Sequence, residues 1–353
     1  MNPTYLIEKS YQWNYDNGPI FEGELPQRTK VKPIKLWNYE IASPIGIPAG
    51  PLLNANFIGL YARLGFDLPV YKTVRTVKRE AHLNPNCLYL NNQKSLTEND
   101  ILAETTAHEQ MPEKIEDISI TNSFGVPSKP VEVWQKDIDL ANRAMAKNQL
   151  LIVSCVGTPG LKERNIIEDY ALCAKLAVDA GAKAIELNFS CPNVVSKEGS
   201  VYQDAIVSSE ITKTVKKAIG QIPLMIKIGY FNDINHLAFV LKANAPFVDG
   251  IACINTIPMK VKNNDGNQAL PGENRLTSGI CGAVIHNLAL NMVEKIAEDK
   301  HKNNYDFIIC GSGGVTKPED FDQFLNRGAD ISMSATGAMW DPYLAYKWHE
   351  NQS

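Results

Sequence analysis

Apolar positions along the chain fall into short β-rich runs, each followed by a polar or glycine-containing loop and then by a stretch with helical periodicity. The runs lie at 44–49, 70–73, 151–155, 184–187, 224–228, 250–254, 307–310 and 330–333. Such a series is the signature of repeated βα units around a parallel sheet. The intervening segments read as helices: 168–180 puts Tyr170, Ala174, Ala177 and Val178 on one face and stops near Gly181, a normal C-terminal ending. Eight strands close a barrel, whereas an open doubly wound sheet usually has fewer. The pattern therefore predicts an α/β chain folded as a (β/α)8 TIM barrel. Residues 1–43 form an N-terminal extension, and 91–117 (NNQKSLTENDILAETTAHEQMPEKIED) form a polar insertion between strands 2 and 3. So short an insertion cannot bury a core of its own. It is expected as an excursion at the top of the barrel, within a single domain spanning 1–353.

Composition agrees with that picture and narrows the partners. The 353 residues are 44% hydrophobic and 21% charged, a globular balance able to fill a large core. A formal net charge of −4 leaves no basic surplus for a nucleic acid or an anionic membrane, though a local basic pocket for a small anion is compatible with it. The seven cysteines, at 87, 155, 173, 191, 253, 281 and 310, are odd in number, dispersed and free of any CxxC pair. That argues against a disulfide framework, a zinc site or an iron–sulfur cluster, and for a reducing compartment. The first residues, MNPTYLIEKSYQWNYDNG, lack the apolar run of a signal peptide and the arginine bias of a transit peptide. No stretch reaches the roughly 20 apolar residues that span a bilayer. A cytoplasmic protein with no metal, no nucleic acid and no membrane insertion is expected.

Active sites of parallel barrels sit at the C-terminal ends of the strands, which directs attention to the residues just after each run. These are Ala49-Gly50, Lys72-Thr73, Asn188 with Ser190, Cys191 and Asn193, Lys227, Asn255-Thr256, Gly313-Gly314, and Ala335-Thr336. The last two loops, GSGGV (311–315) and SATG (334–337), occupy the places where barrels bind phosphate through backbone N–H groups. Tight turns alone would also explain their glycines. Lys72 and Lys227 end apolar strands, where an ammonium must meet an anion unless it snorkels to solvent. A flavin accounts for both, because it becomes anionic around N1 and O2 when hydride arrives. In IELNFSCPN (185–193) asparagines flank a thiol. Amide side chains suit a ring of alternating carbonyl and N–H groups such as a pyrimidine, and a thiolate can take a proton from carbon. The other six cysteines read as inert, buried hydrophobes.

These residues resemble a known family. NFSCPN is similar to the NxSCPN segment of cytosolic class 1 dihydroorotate dehydrogenases. YKTVRT (71–76), NSFGVP (122–127), IKI (226–228) and INT (254–256) resemble that family's lysine-bearing second strand, substrate loop, flavin lysine and substrate asparagine. SPIGIPAG (43–50) looks like its first strand, while SGICGA (278–283), GSGGV and SATG look like its FMN phosphate segments. The likeness runs in order from about 40 to 345. It implies an FMN-dependent oxidoreductase of pyrimidine biosynthesis, in which Cys191 removes the C5 proton of dihydroorotate while hydride leaves C6 for flavin N5. It implies that Lys72, Asn122, Gly125, Asn188, Asn193, Asn255 and Thr256 bind substrate. Ala49, Gly50, Lys72, Thr73, Asn188, Lys227, Gly282, Gly313, Gly314, Ala335 and Thr336 would bind FMN, with Lys227 also catalytic. Class 2 enzymes carry serine in place of the cysteine and an N-terminal membrane-binding extension. The first 43 residues here show charges, prolines and no amphipathic helix, so class 1 is the closer match, and with it a homodimer.

Two other readings fit part of the pattern. A dihydropyrimidine dehydrogenase flavin domain shares the NxSCP segment, the KT strand end and an NT pair, but needs iron–sulfur domains that this chain cannot build. A catalytically silent flavin-binding barrel would share the fold alone. No GxGxxG is present, so direct use of NAD is not expected; fumarate, a quinone or an electron-transfer partner subunit would each serve as acceptor.

Overall fold

A computed structural model describes residues 3–29, 31–90, 95–190 and 197–352. Eight parallel strands close into a barrel: β1 (Ile45–Ile47), β2 (Leu68–Val74), β3 (Ile152–Cys155), β4 (Ala184–Asn188), β5 (Leu224–Lys227), β6 (Gly250–Cys253), β7 (Ile308–Ser312) and β8 (Ile331–Met333). Chain order is spatial order, and β8 returns to β1 through Ser332 opposite Ile45 and Met333 opposite Gly46. All eight expected strands are present, with ends shifted by up to two residues. A helix follows each: α1 (Ala55–Arg63), α2 (Val131–Arg143), α3 (Ile166–Asp179), α4 (Ala205–Ile219), α5 (Ile234–Asn244), α6 (His286–Asn303), α7 (Pro318–Asn326) and α8 (Leu344–Asn351). The start of α3 is set by a capping box, in which Asn165 accepts from Ile167 and Glu168 N–H and Glu168 accepts from Asn165 N–H.

Strand alternation sorts the side chains. Val153, Cys155, Ile185, Leu187, Ile226 and Ile251 join the outer core beneath the helices. Val70, Ile152, Ala184, Met225, Ala252 and Cys310 pack inside the barrel. Leu36 and Ile41, from a hairpin of Ile34–Leu36 and Tyr39–Ile41, join that inner cluster and close the N-terminal end, where the Trp37 indole donates to the Asp249 carbonyl at 3.0 Å. With one end filled by apolar side chains, polar ones are confined to the other. Ser154, Glu186, Asn188 and Lys227 continue the inward series toward the C-terminal mouth.

A second closed sheet stands at that mouth, built from Cys87–Leu90, Glu104–His108, Ser119–Asn122, Ile257–Lys262 and Thr277–Gly282. The insertion at 91–117 is thus more than an excursion. Its strand 104–108 pairs with 87–90 on one side and 257–262 on the other. The Glu116 carbonyl accepts from Thr316 Oγ1 at 2.8 Å, tying the insertion to the loop after β7.

The N-terminal extension also differs from expectation, since Tyr11–Asn17 forms a helix capped by Ser10 and buries Tyr11 and Asn14. Asn14 binds the preceding turn from both ends of its amide, accepting from Leu6 N–H at 2.8 Å and donating to Leu6 and Ser10 carbonyls. Thr4 N–H donates to the Met339 carbonyl at 2.9 Å, and Thr4 Oγ1 lies 2.6 Å from Tyr61 Oη. The extension is therefore anchored across the barrel top near the end of β8.

Candidate active site

The strand ends and the second sheet enclose a cavity of about 170 Å³. Its wall includes the expected substrate residues Lys72, Asn122, Asn188, Asn255 and Thr256. It includes every expected cofactor residue: Ala49, Gly50, Thr73, Lys227, Gly282, Gly313, Gly314, Ala335 and Thr336 join Lys72 and Asn188. Gly125 is not part of it. The chain there turns at φ +75°, and a side chain at 125 would meet the His82 ring within 3 Å, so the neighbours Phe124 and Val126 form the wall instead. Cys191 and Asn193 lie outside the described residues.

Asn188 and Asn255 share one network. Asn255 Nδ2 donates to Asn188 Oδ1 at 3.3 Å and to the Ser190 carbonyl, and Asn255 Oδ1 accepts from Thr256 N–H at 2.9 Å. Asn188 Nδ2 reaches Thr73 Oγ1 at 3.5 Å, which in turn lies 3.0 Å from Ser154 Oγ. The Tyr170 hydroxyl holds the Asn188 carbonyl at 3.1 Å from behind. Each amide is oriented by its neighbours, a preorganisation that a ring of fixed donors and acceptors requires.

Charge is arranged sparsely. Lys227 is 8% exposed and forms none of the salt bridges found among the described residues. Glu186, 1% exposed, also lines the cavity and has an Oε1 without a hydrogen-bond partner, as has Thr256 Oγ1. A buried, unsatisfied polar atom costs about 1–3 kcal/mol, so this concentration at one cavity marks a place for a polar ligand. Lys72 Nζ donates to the Gly50 carbonyl at 3.0 Å and stands over the Phe124 ring at 5.4 Å and the Tyr11 ring at 5.9 Å.

The loops after β7 and β8 are knit together: Ser334 Oγ donates to the Val315 carbonyl at 2.7 Å and accepts from Ala338 N–H at 3.1 Å. Gly314, at φ +69°, could not carry a side chain, which would lie 2.6 Å from His286 Cβ. His286 Nδ1 meets the Gly313 carbonyl at 3.0 Å. The close approach of α6 to this loop explains the glycine pair independently of any ligand.

The chain matches the family described as dihydroorotate dehydrogenase over residues 33–350. It is 41% identical to a dihydroorotate dehydrogenase of Dictyostelium discoideum, over 99% of this chain and 97% of that protein. It is also 32% identical to the catalytic subunit of dihydroorotate dehydrogenase B (NAD(+)) of Shouchella clausii, over 50% of this chain and 56% of that subunit. A similar subunit of Alkaliphilus metalliredigens is 32% identical over 59% and 63%. The chain belongs to the dihydroorotate dehydrogenase family. That family is flavin-dependent in general, and its named dehydrogenases are oxidoreductases. Among the described residues, no helix is long and apolar enough to cross a membrane.

Against the family frame, several wall residues escaped sequence reasoning. Glu186 was findable, being a carboxylate inside an apolar strand just as Lys227 is an ammonium inside one. Cys281 and Cys87, read as inert, both line the cavity. Cys281 Sγ accepts from Asn122 Nδ2 and Thr336 Oγ1, each at 3.4 Å. Burial pushes its thiol up to about 11, against those two hydrogen bonds and the Lys227 charge, so it is protonated at neutral pH and serves as a weak acceptor between the expected substrate and cofactor residues. Tyr5 and Tyr11 come from the N-terminal extension, and no local motif announces them.

Proposed function

We propose that this protein oxidises dihydroorotate to orotate with FMN as its cofactor, as a class 1-like enzyme with a cysteine base. The observation that carries the reading is the cavity wall itself, where two lysines, oriented amide side chains and two glycine-containing loops come together in a chain of this family. In the proposal, Lys72 binds the substrate carboxylate. Asn122, Asn188, Asn255 and Thr256, with Asn193, hold the pyrimidine by pairing amide donors and acceptors with its carbonyl and N–H groups. Cys191 takes the C5 proton. The chemistry that FMN supplies when bound is acceptance of hydride from C6. Lys227 offers the cofactor a buried positive charge, and Ala49, Gly50, Thr73, Gly282, Gly313, Gly314, Ala335 and Thr336 surround it. A single domain, a cytoplasmic location and a homodimer belong to the same class 1 reading, with an electron-transfer partner subunit as one route for electron exit.

Gly50 tests the cofactor fit. A Cβ built there meets no protein atom within 4 Å, although the residue lines the cavity. Gly50→Val is expected to change the stability of the cofactor-free protein by no more than about 0.5 kcal/mol, as surface substitutions do. It should weaken FMN binding by roughly 5- to 150-fold, the cost of overpacking by 1–3 kcal/mol. Thermal melting and flavin fluorescence titration read the two effects separately.

The function itself is tested by anaerobic absorbance of the purified protein at the flavin band. Dihydroorotate is expected to bleach the band and dihydrouracil to leave it. Bleaching by dihydrouracil alone would transfer the assignment to the dihydropyrimidine dehydrogenases, and a protein that carries no flavin would sink the FMN reading.

A further inference from the structure

We propose that the N-terminal extension is part of the substrate site, and that Tyr11 positions the Lys72 ammonium for the substrate carboxylate. The inference rests on the reading of Lys72 given above. Tyr5 and Tyr11 both line the cavity, together with Lys72, Asn122 and Phe124. The three rings pack edge to face: Phe124 lies 5.8 Å from Tyr5 at 89° and 6.1 Å from Tyr11 at 63°. Lys72 Nζ sits against two of them, 5.4 Å from the Phe124 centroid and 5.9 Å from that of Tyr11. An ammonium beside aromatic faces is held by their quadrupoles. Its aliphatic stem is confined as well, so less rotamer freedom is lost when the carboxylate arrives.

The placement of both tyrosines is enforced from outside the site. Thr4 is bonded to Met339 and Tyr61, which fixes the residue before Tyr5. The helix that starts at Tyr11 is fixed through Asn14, and the Tyr15 carbonyl accepts from Asn54 Nδ2 at 2.8 Å. Asn14 uses both ends of its amide on Leu6 and Ser10, and the neighbouring Tyr5 Oη is buried without a hydrogen bond within 3.5 Å. An orphaned hydroxyl on a ring that lines the cavity is costly unless a ligand group or an ordered water meets it. Burial raises both phenols, so at neutral pH they are neutral and do not compete with the substrate for Lys72.

The test measures KM for dihydroorotate, kcat, and the Kd of orotate on the flavin-loaded full chain. Tyr11→Leu is expected to raise KM and the orotate Kd by about 3- to 30-fold, the span of a cation–π contact, with kcat changed less than KM. In a Lys72→Met background the same substitution should change the orotate Kd less than twofold, because the ammonium it positions is gone. Equal losses in both backgrounds, or none in either, would overturn the inference and leave a merely structural ring. Should Tyr11→Leu fail to fold, Tyr11→Met carries the same comparison, its flexible side chain filling the space without a ring face. Wild-type protein that neither binds orotate nor turns over dihydroorotate would instead indict the parent reading, which keeps the two failures apart.

Discussion

Cys191→Ala is expected to lower turnover of dihydroorotate by roughly 10²- to 10⁴-fold, the range for loss of a positioned general base, while FMN stays bound. The chain approaches residue 191 from the cavity wall: Asn188 lines it, and the Ser190 carbonyl accepts from Asn255 Nδ2 while Ser190 Oγ donates to the Lys227 carbonyl at 3.3 Å. Base strength gives a second signature. A thiol ionises near pH 8.5 when unperturbed, so the wild-type rate should climb as pH rises through the thiol ionisation. Cys191→Ser should retain part of the activity and shift that climb to higher pH, because a hydroxyl ionises far less readily. Stopped-flow bleaching of the flavin across pH checks both. An alanine variant that bleaches within threefold of the wild-type rate would remove Cys191 from the mechanism.

How much of this was legible beforehand depended on what kind of order each element carries. The barrel strands are covered on both faces, so they stand out as unbroken apolar runs. Strands of the second sheet have one polar face: Ile257–Lys262 alternates buried and exposed, and Glu104–His108 buries little beyond Thr105 and Ala107. Short alternating segments with so many charged and threonine positions read as loop. At the site, the fold rule pointed to strand ends, and Lys72, Asn188, Lys227, Asn255 and Thr336 from five of them do line one cavity. Residues that reach the cavity from elsewhere were invisible, because nothing local says that Tyr5 returns over a barrel whose Met339 lies more than three hundred residues away. Gly125 shows the finest limit. The motif indicated the right turn, but only its backbone angle decides that Phe124 and Val126, rather than the glycine between them, form the wall.

Lys227→Met should lower kcat/KM by roughly 10²- to 10³-fold, as removal of a preorganised charge does at about 2.7–4 kcal/mol. The ammonium is buried at the end of β5 and forms none of the salt bridges found among the described residues. Glu186 is the buried carboxyl group of the adjacent strand, but the register sets it opposite Met225, with Asn188 opposite Lys227. An ammonium held this way is expensive in isolation, and a ligand that carries or acquires negative charge offsets that cost. The charge also favours electron uptake, so its loss should lower the two-electron midpoint potential of bound FMN by roughly 30–60 mV, equivalent to about 1.4–2.8 kcal/mol. A lysine that only snorkelled would behave differently. Its replacement by an apolar side chain of similar length would leave turnover and potential unchanged and could even stabilise the fold. Spectroelectrochemical titration of Lys227→Met beside the wild type separates the two, because a packing defect alters melting temperature without moving a potential.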